Sequence, residues 1–401
     1  MTTGIRDVTA GRRPALWLLI GIVLIAANLR VALTGVGPLL PDIERSTGLS
    51  GIWSGLLGAL PLLTFAATSP LVGRTAHRFG SPRVLGNSLL VLVAGLFVRS
   101  LPGAFFLFAG TVAVAAAIAY GNVLLPAVIK SCVPEDRIGQ MTAVYVTVMG
   151  LFAAVSSGVS VPLAENLPGG WRTALGCWSL LAAVAFLAFL PQYRHEPRIG
   201  STPELRERIP WRSGLAWQVS LFMGLQSLGF YTTIAWLPSI VHDQGVGASA
   251  AGWQLFLFQI AGLVSSSALP LLTRRWRDQR IMAAAASVIS ALGFALLVVA
   301  PELAVASSVL IGLGGGACLV LALSFQGQRA ANPAQAAALA AMAQSVGYLV
   351  AAVGPLLLGA LHDLTGGWTP PLLLLVTLAL VQAAVGTRAG RGLHLKTPLD
   401  S

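Results

Sequence analysis

The sequence predicts an all-α polytopic membrane protein, with twelve transmembrane helices in two pseudo-symmetric halves of six. Three observations carry that expectation. Of 401 residues, 56% are hydrophobic and only 10% are charged, against about 25% charged in an ordinary soluble domain. A water-soluble globule cannot hide so much apolar surface. The apolar residues come in runs of roughly 20, the length that crosses a bilayer core. The chain also resembles itself at a constant offset of 197 residues.

The first run, 16–40, follows Arg6, Arg12 and Arg13. It is too long for a signal peptide, contains Arg30 and lacks a small-x-small cleavage site, so it reads as an uncleaved first span. Runs at 51–72, 84–101, 104–129, 141–163 and 173–190 complete the first half. A polar, charge-mixed linker follows at 191–213. Runs at 214–238, 249–272, 281–299, 303–325, 336–361 and 369–386 form the second half. The expected bodies are therefore 1–190 and 214–401.

Of the 25 Lys and Arg residues, all but Arg30, Arg45, Arg99 and Arg172 fall on one side of this arrangement. The positive-inside rule then places both termini and the linker in the cytoplasm, in a bacterial cytoplasmic membrane. The net charge of +11 does not point to nucleic acid, because the basic residues are scattered between apolar runs and not clustered on a soluble domain. The expected partners are the lipid bilayer and a small-molecule substrate, and the expected state is a monomer.

The repeat pairs Leu40-Pro41-Asp42-Ile43 with Leu237-Pro238-Ser239-Ile240. The same offset pairs Gly48 with Gly245, Arg78 with Arg275, Gly150 with Gly347, and Gly169-Gly170-Trp171 with Gly366-Gly367-Trp368. Two parallel six-helix halves are the sequence sign of a major facilitator-type carrier, with its substrate site near midplane between the halves. Pro38, Pro41 and Pro238 interrupt the ends of helices one and seven, as the moving or binding regions of carriers often are.

The segment from Gly73 to Arg83 resembles the major facilitator signature G-x-x-x-D-R-x-G-x-x-R between helices two and three. Gly73, Arg78, Gly80 and Arg83 match, and His77 stands where the pattern has Asp. A narrower resemblance covers nearly the whole chain. "NLRVALTGVGPLLPDI" on helix one, "YGNVLLPAVIK" on helix four, "FMGLQSLGFYTTIAWLPSI" on helix seven and "MAQSVGYLVAAVGPLLLGALHDLTGGW" on helix eleven resemble the cyanate permease and nitroimidazole transporter (CynX/NimT) family. That resemblance implies transport of a small polar or anionic solute.

Arg30 falls at the middle of helix one, where a charge costs about 2.5–3.5 kcal/mol on insertion scales. All fourteen acids fall in expected loops or tails, so no carboxylate is at hand to pair with it. Arg30 is therefore the candidate that meets the negative group of a substrate, and its planar fork suits an oxyanion. The other candidates are Asn28, Thr34, Asn122, Gln226, Tyr231, Trp236, Gln344 and Tyr348. They come from helices one, four, seven and eleven, and each taken alone is more often a helix–helix hydrogen bond.

Other functions are disfavoured. No HExxH, GxSxG or Walker motif is present, so enzyme chemistry and ATP-driven transport have no anchor. Cys132, Cys177 and Cys318 lack metal-type spacing, so neither a metal nor a cofactor is expected. Gly312, Gly314, Gly315 and Gly316 lie in an apolar run and read as close helix packing. No gap is long enough for a soluble sensor domain. Export of drug-like compounds is the alternative within transport, and helix five lacks the G-P-x-x-G-G element of drug/proton antiporters.

Overall fold

The computed structural model describes residues 12–132, 137–191, 209–273 and 278–393. Among the described residues all regular structure is helical. α1 (Arg12–Thr34), a short 3-10 turn (Gly37–Leu39) and α2 (Leu40–Thr47) make the first span. α3 (Gly51–Phe79), α4 (Ser81–Arg99), α5 (Ala104–Cys132), α6 (Ile138–Asn166) and the pair α7 (Trp171–Gly176) and α8 (Trp178–Phe189) complete six. α9 (Gly214–Asp243), α10 (Ala248–Thr273), α11 (Arg280–Val299), α12 (Ala304–Gln328), α13 (Pro333–Thr365) and α14 (Thr369–Ala389) form the second six. Among the described residues eleven crossings are long and apolar enough to span a bilayer. α9 is the twelfth. It is 30 residues long, but Gln226, Ser227, Thr232 and Thr233 dilute its hydropathy.

Pro238 does not interrupt the seventh span as expected: α9 runs on through it to Asp243. Two further boundaries differ from expectation for local reasons. The first span does not stop at residue 40. It breaks before Pro38, resumes as α2, and ends at Gly48, whose φ of 72° closes the helix in the left-handed region. The segment read as a loop from Gly73 is helical as far as Phe79, because nothing before Gly80 breaks a helix. Gly80 has φ 84°, and Pro82 then sits in the first turn of α4, where a missing N–H costs nothing. Arg78 is exposed and lies over the Phe79 ring at 5.2 Å. The His77 side chain lies outside the described part of the structure.

The repeat is visible in the packing. α1 packs on α6 and α8 as α9 packs on α13 and α14. α4 packs on α5 and α8 as α11 packs on α12 and α14. One bond recurs at the 197-residue offset: Trp171 Nε1 donates to Ser46 Oγ at 2.8 Å, and Trp368 Nε1 donates to Asp243 Oδ2 at 2.7 Å. The glycine run of α12 does pack tightly, with Gly312 against the Phe258 carbonyl and Gly316 against the Gly262 carbonyl.

The halves meet through α3 on α13 and α6 on α10. These contacts concentrate at one end. Gly51 and Gly55 touch Asp363 and Pro355, and Trp253 lies against Gly158. At the other end Val144, Val146 and Thr147 of α6 and Val264 and Ser267 of α10 are exposed. The described contacts that bring the halves together thus lie towards one end, the closed end. Gly37 belongs to the closed end, where a Cβ would collide with the Ile234 carbonyl of the other half. Gly37→Val is expected to prevent this closure, read as faster labelling of a cysteine placed at Ser54 behind it.

Candidate functional site

The site is built where α1, α6, α9 and α10 converge. Arg30, half-buried, projects from α1 across the interface between the halves. Its guanidinium carbon lies 5.3 Å from the centroid of Phe230 and 5.7 Å from that of Tyr231, both on α9. Such contacts contribute about 1–2 kcal/mol when desolvated. Among the described residues no carboxylate forms an ion pair with it. The carboxylates nearest in sequence, Asp42 and Glu44, belong to helix α2 and not to a loop as expected, and they lie towards the closed end.

Arg30 faces a cavity of about 640 Å³, including space open to solvent. Its walls include Met149, Phe230, Phe258, Gln259 and Leu263. The lining is mostly apolar, with one cation and few other polar groups, as small-molecule sites commonly are. Gln259 is oriented by two bonds, donating to the Ala153 carbonyl at 3.1 Å and to Ser157 Oγ at 2.6 Å. Tyr348 of α13 packs edge-on to Phe65 at 6.0 Å.

The expected residues separate into two groups. Arg30 and Tyr231 come together, whereas Tyr348 lies against Phe65 and lines none of the cavities described here. Gln226 lies next door, lining a cavity of about 430 Å³ behind Phe230, with its Oε1 accepting from Ser227 Oγ at 3.2 Å. Gln344 is half-buried one turn before Tyr348, and its Oε1 has no partner. The other residues turn elsewhere. Asn28 faces the sixth span, donating to the Leu24 and Leu181 carbonyls at 2.8 and 3.4 Å. Thr34 ties α1 to α6 through the Ala153 carbonyl at 2.9 Å. Trp236 points to the closed end and donates to the Pro355 carbonyl at 2.9 Å. Asn122 is exposed on α5 and lines none of these cavities.

Of the residues lining the Arg30 cavity only Arg30 was foreseen. Phe230 and Phe258 look like ordinary membrane apolar residues. Gln259, an amide in an apolar run, was a usable signal. Arg99, expected at the outer end of the third run, ends α4, and its side chain is fully buried.

Paired helical halves around a cation-bearing central cavity define a multi-pass membrane carrier of small solutes. The Major Facilitator Superfamily profile matches residues 16–355. The chain is 42% identical to the 2-nitroimidazole transporter of Escherichia coli over 94% of its length and 96% of that protein's. It is 30% identical to the cyanate transport protein CynX of the same organism, covering 88% of this chain and 91% of that one. The chain belongs to the major facilitator superfamily, in its cyanate permease and nitroimidazole transporter family. A crystal structure of a bacterial homologue of the human lysosomal transporter Spinster shares the fold, with TM-score 0.80 at 15% identity over 94% of this chain and 97% of that one.

Proposed function

We propose that the chain moves a small, planar solute with a negative charge or a strongly electronegative edge, bound at Arg30, by alternating access between the halves. One observation carries the reading: an interfacial guanidinium in a largely apolar cavity, with aromatic rings beside it and no carboxylate paired with it. The fork matches the paired oxygens of a carboxylate or nitro group. Phe230 and Tyr231 offer faces for a flat heterocycle. Cyanate and 2-nitroimidazole, named for the two relatives, are both compact and carry a negative end.

Counterflow in proteoliposomes tests this. Vesicles loaded with cyanate or 2-nitroimidazole are expected to accumulate label of the same compound, and a bulky uncharged drug is expected to give none. Equal counterflow with the bulky drug would overturn the reading.

The closed end is the external face in this reading, and the opposite end, the termini and the 191–213 linker are cytoplasmic. Residues 1–190 and 214–401 are the two moving bodies. Glu302 is exposed at the closed end, so a cysteine there is expected to react with an impermeant reagent in intact cells. A cysteine at Glu204 is expected to stay unlabelled, and the reverse pattern would invert the topology.

A further inference from the structure

Arg99 is 0% exposed. Gly110 of α5 allows its backbone to approach closely, and the side chain runs inward to α1. Nη1 donates to the Ala32 carbonyl of α1 at 2.7 Å, and Nε and Nη2 have no partner. The side chain lines a cavity of about 530 Å³ together with Ser54, Thr111 and Tyr231, and no acidic residue lines it. A guanidinium carries five N–H donors, and one carbonyl does not offset the several kcal/mol that burying the charge costs. This side chain is built to hold something negative.

We infer that Arg99 forms a second anion site, lying between the closed-end face and Arg30, where a small monoanion binds on its way to or from the central site. Tyr231 joins the two, since it faces Arg30 and also lines the Arg99 cavity. Leu33, Gly37 and Leu40 of the same cavity follow Arg30 along the first span towards the closed end, so the second site sits closer to that face. The inference rests on the reading of Arg30 as the central anion site.

The test measures radiolabelled cyanate flux by the full chain in right-side-out and inside-out membrane vesicles, with 2-nitroimidazole, which has no fixed charge, in parallel. Arg99→Gln is expected to raise the half-saturating cyanate concentration about tenfold at the external face and less than about twofold at the cytoplasmic face. Arg99→Lys keeps the charge and a donor for Ala32, so its external shift is expected to be smaller. The 2-nitroimidazole values should move less in both variants. Equal shifts at the two faces, or a fall in maximal flux with no face-dependent shift, would make Arg99 a tie between α4 and α1 and overturn the inference. If Arg99→Gln does not assemble, the face asymmetry of Arg99→Lys decides by the same rule. Arg30→Gln separates the two readings. It should remove cyanate flux from both faces, and if it does not, the central reading fails whatever Arg99 does. No flux of either probe by the wild type overturns both.

Discussion

Arg30→Gln is expected to abolish binding of a small anion while the protein still assembles. Truncating one partner of a desolvated charge pair typically costs about 2–5 kcal/mol, or roughly 30-fold to several thousand-fold in affinity. The folding side nearly balances. The variant loses the two ring contacts of the guanidinium, about 1–2 kcal/mol. It is also relieved of a central charge that costs about 2.5–3.5 kcal/mol on insertion scales. Arg30→Lys keeps the charge but not the fork, so it should recover only part of the affinity. Equilibrium binding of cyanate and 2-nitroimidazole to purified protein, with thermal unfolding alongside, reads both effects. Wild-type affinity in Arg30→Gln would leave the arginine without a role in recognition. Failure of that variant to assemble would make it a packing residue.

Asp363→Ala is expected to open the closed end. The N-terminus of α3 has no cap of its own, because the Ser50 side chain makes no capping bond. The cap comes from the other half: Asp363 Oδ1 accepts from the Gly51 N–H at 3.1 Å and Oδ2 from the Ile52 N–H at 3.0 Å. His362 Nδ1 lies 3.9 Å from the same carboxylate and stacks on Trp368 at 4.1 Å between centroids. A cap plus the helix dipole contributes about 1–2 kcal/mol, and this cap exists only while the halves touch here. Its loss should shift the closed-to-open ratio about 5- to 30-fold. The measurement is the rate at which an impermeant thiol reagent reaches a cysteine at Ser54, which is 1% exposed, in a background lacking Cys132, Cys177 and Cys318. Asp363→Asn retains one acceptor oxygen and should fall between. An unchanged rate in Asp363→Ala would show that apolar packing alone holds this end.

How far the sequence could be read depended on the physics of each feature. Span number and the 197-residue repeat rest on length and composition, which the bilayer enforces directly. Arg30 was legible because a central charge without an acid is rare in a membrane segment. Direction around a helix was much harder to read. Asn28 and Arg30 are two residues apart and point to different neighbours, one to Leu181 and the other to Phe230. In water an apolar stripe would mark the buried face, but here lipid and protein interior are equally apolar, so α9 shows no such stripe to align Gln226, Tyr231 and Trp236. The burial of Arg99 was not legible, because a basic residue at a span end normally snorkels to the interface. In the structure α5 packs on its backbone at Gly110, and its side chain reaches the Ala32 carbonyl of α1, tertiary contacts that the sequence does not show.

Arg30 belongs to α1 and its two aromatic neighbours to α9, so these ring contacts form a cross-strut between the two halves. In the proposed cycle an anion bound at Arg30 would compete for that strut. The loaded form would then turn with its charge neutralised, while the unloaded form would drag a bare cation away from Phe230 and Tyr231 across an apolar seam. The slow step of the cycle is then expected to be the return of the empty carrier. One-for-one exchange should outrun net flux, and an internal pool of a second solute would set how fast the first crosses.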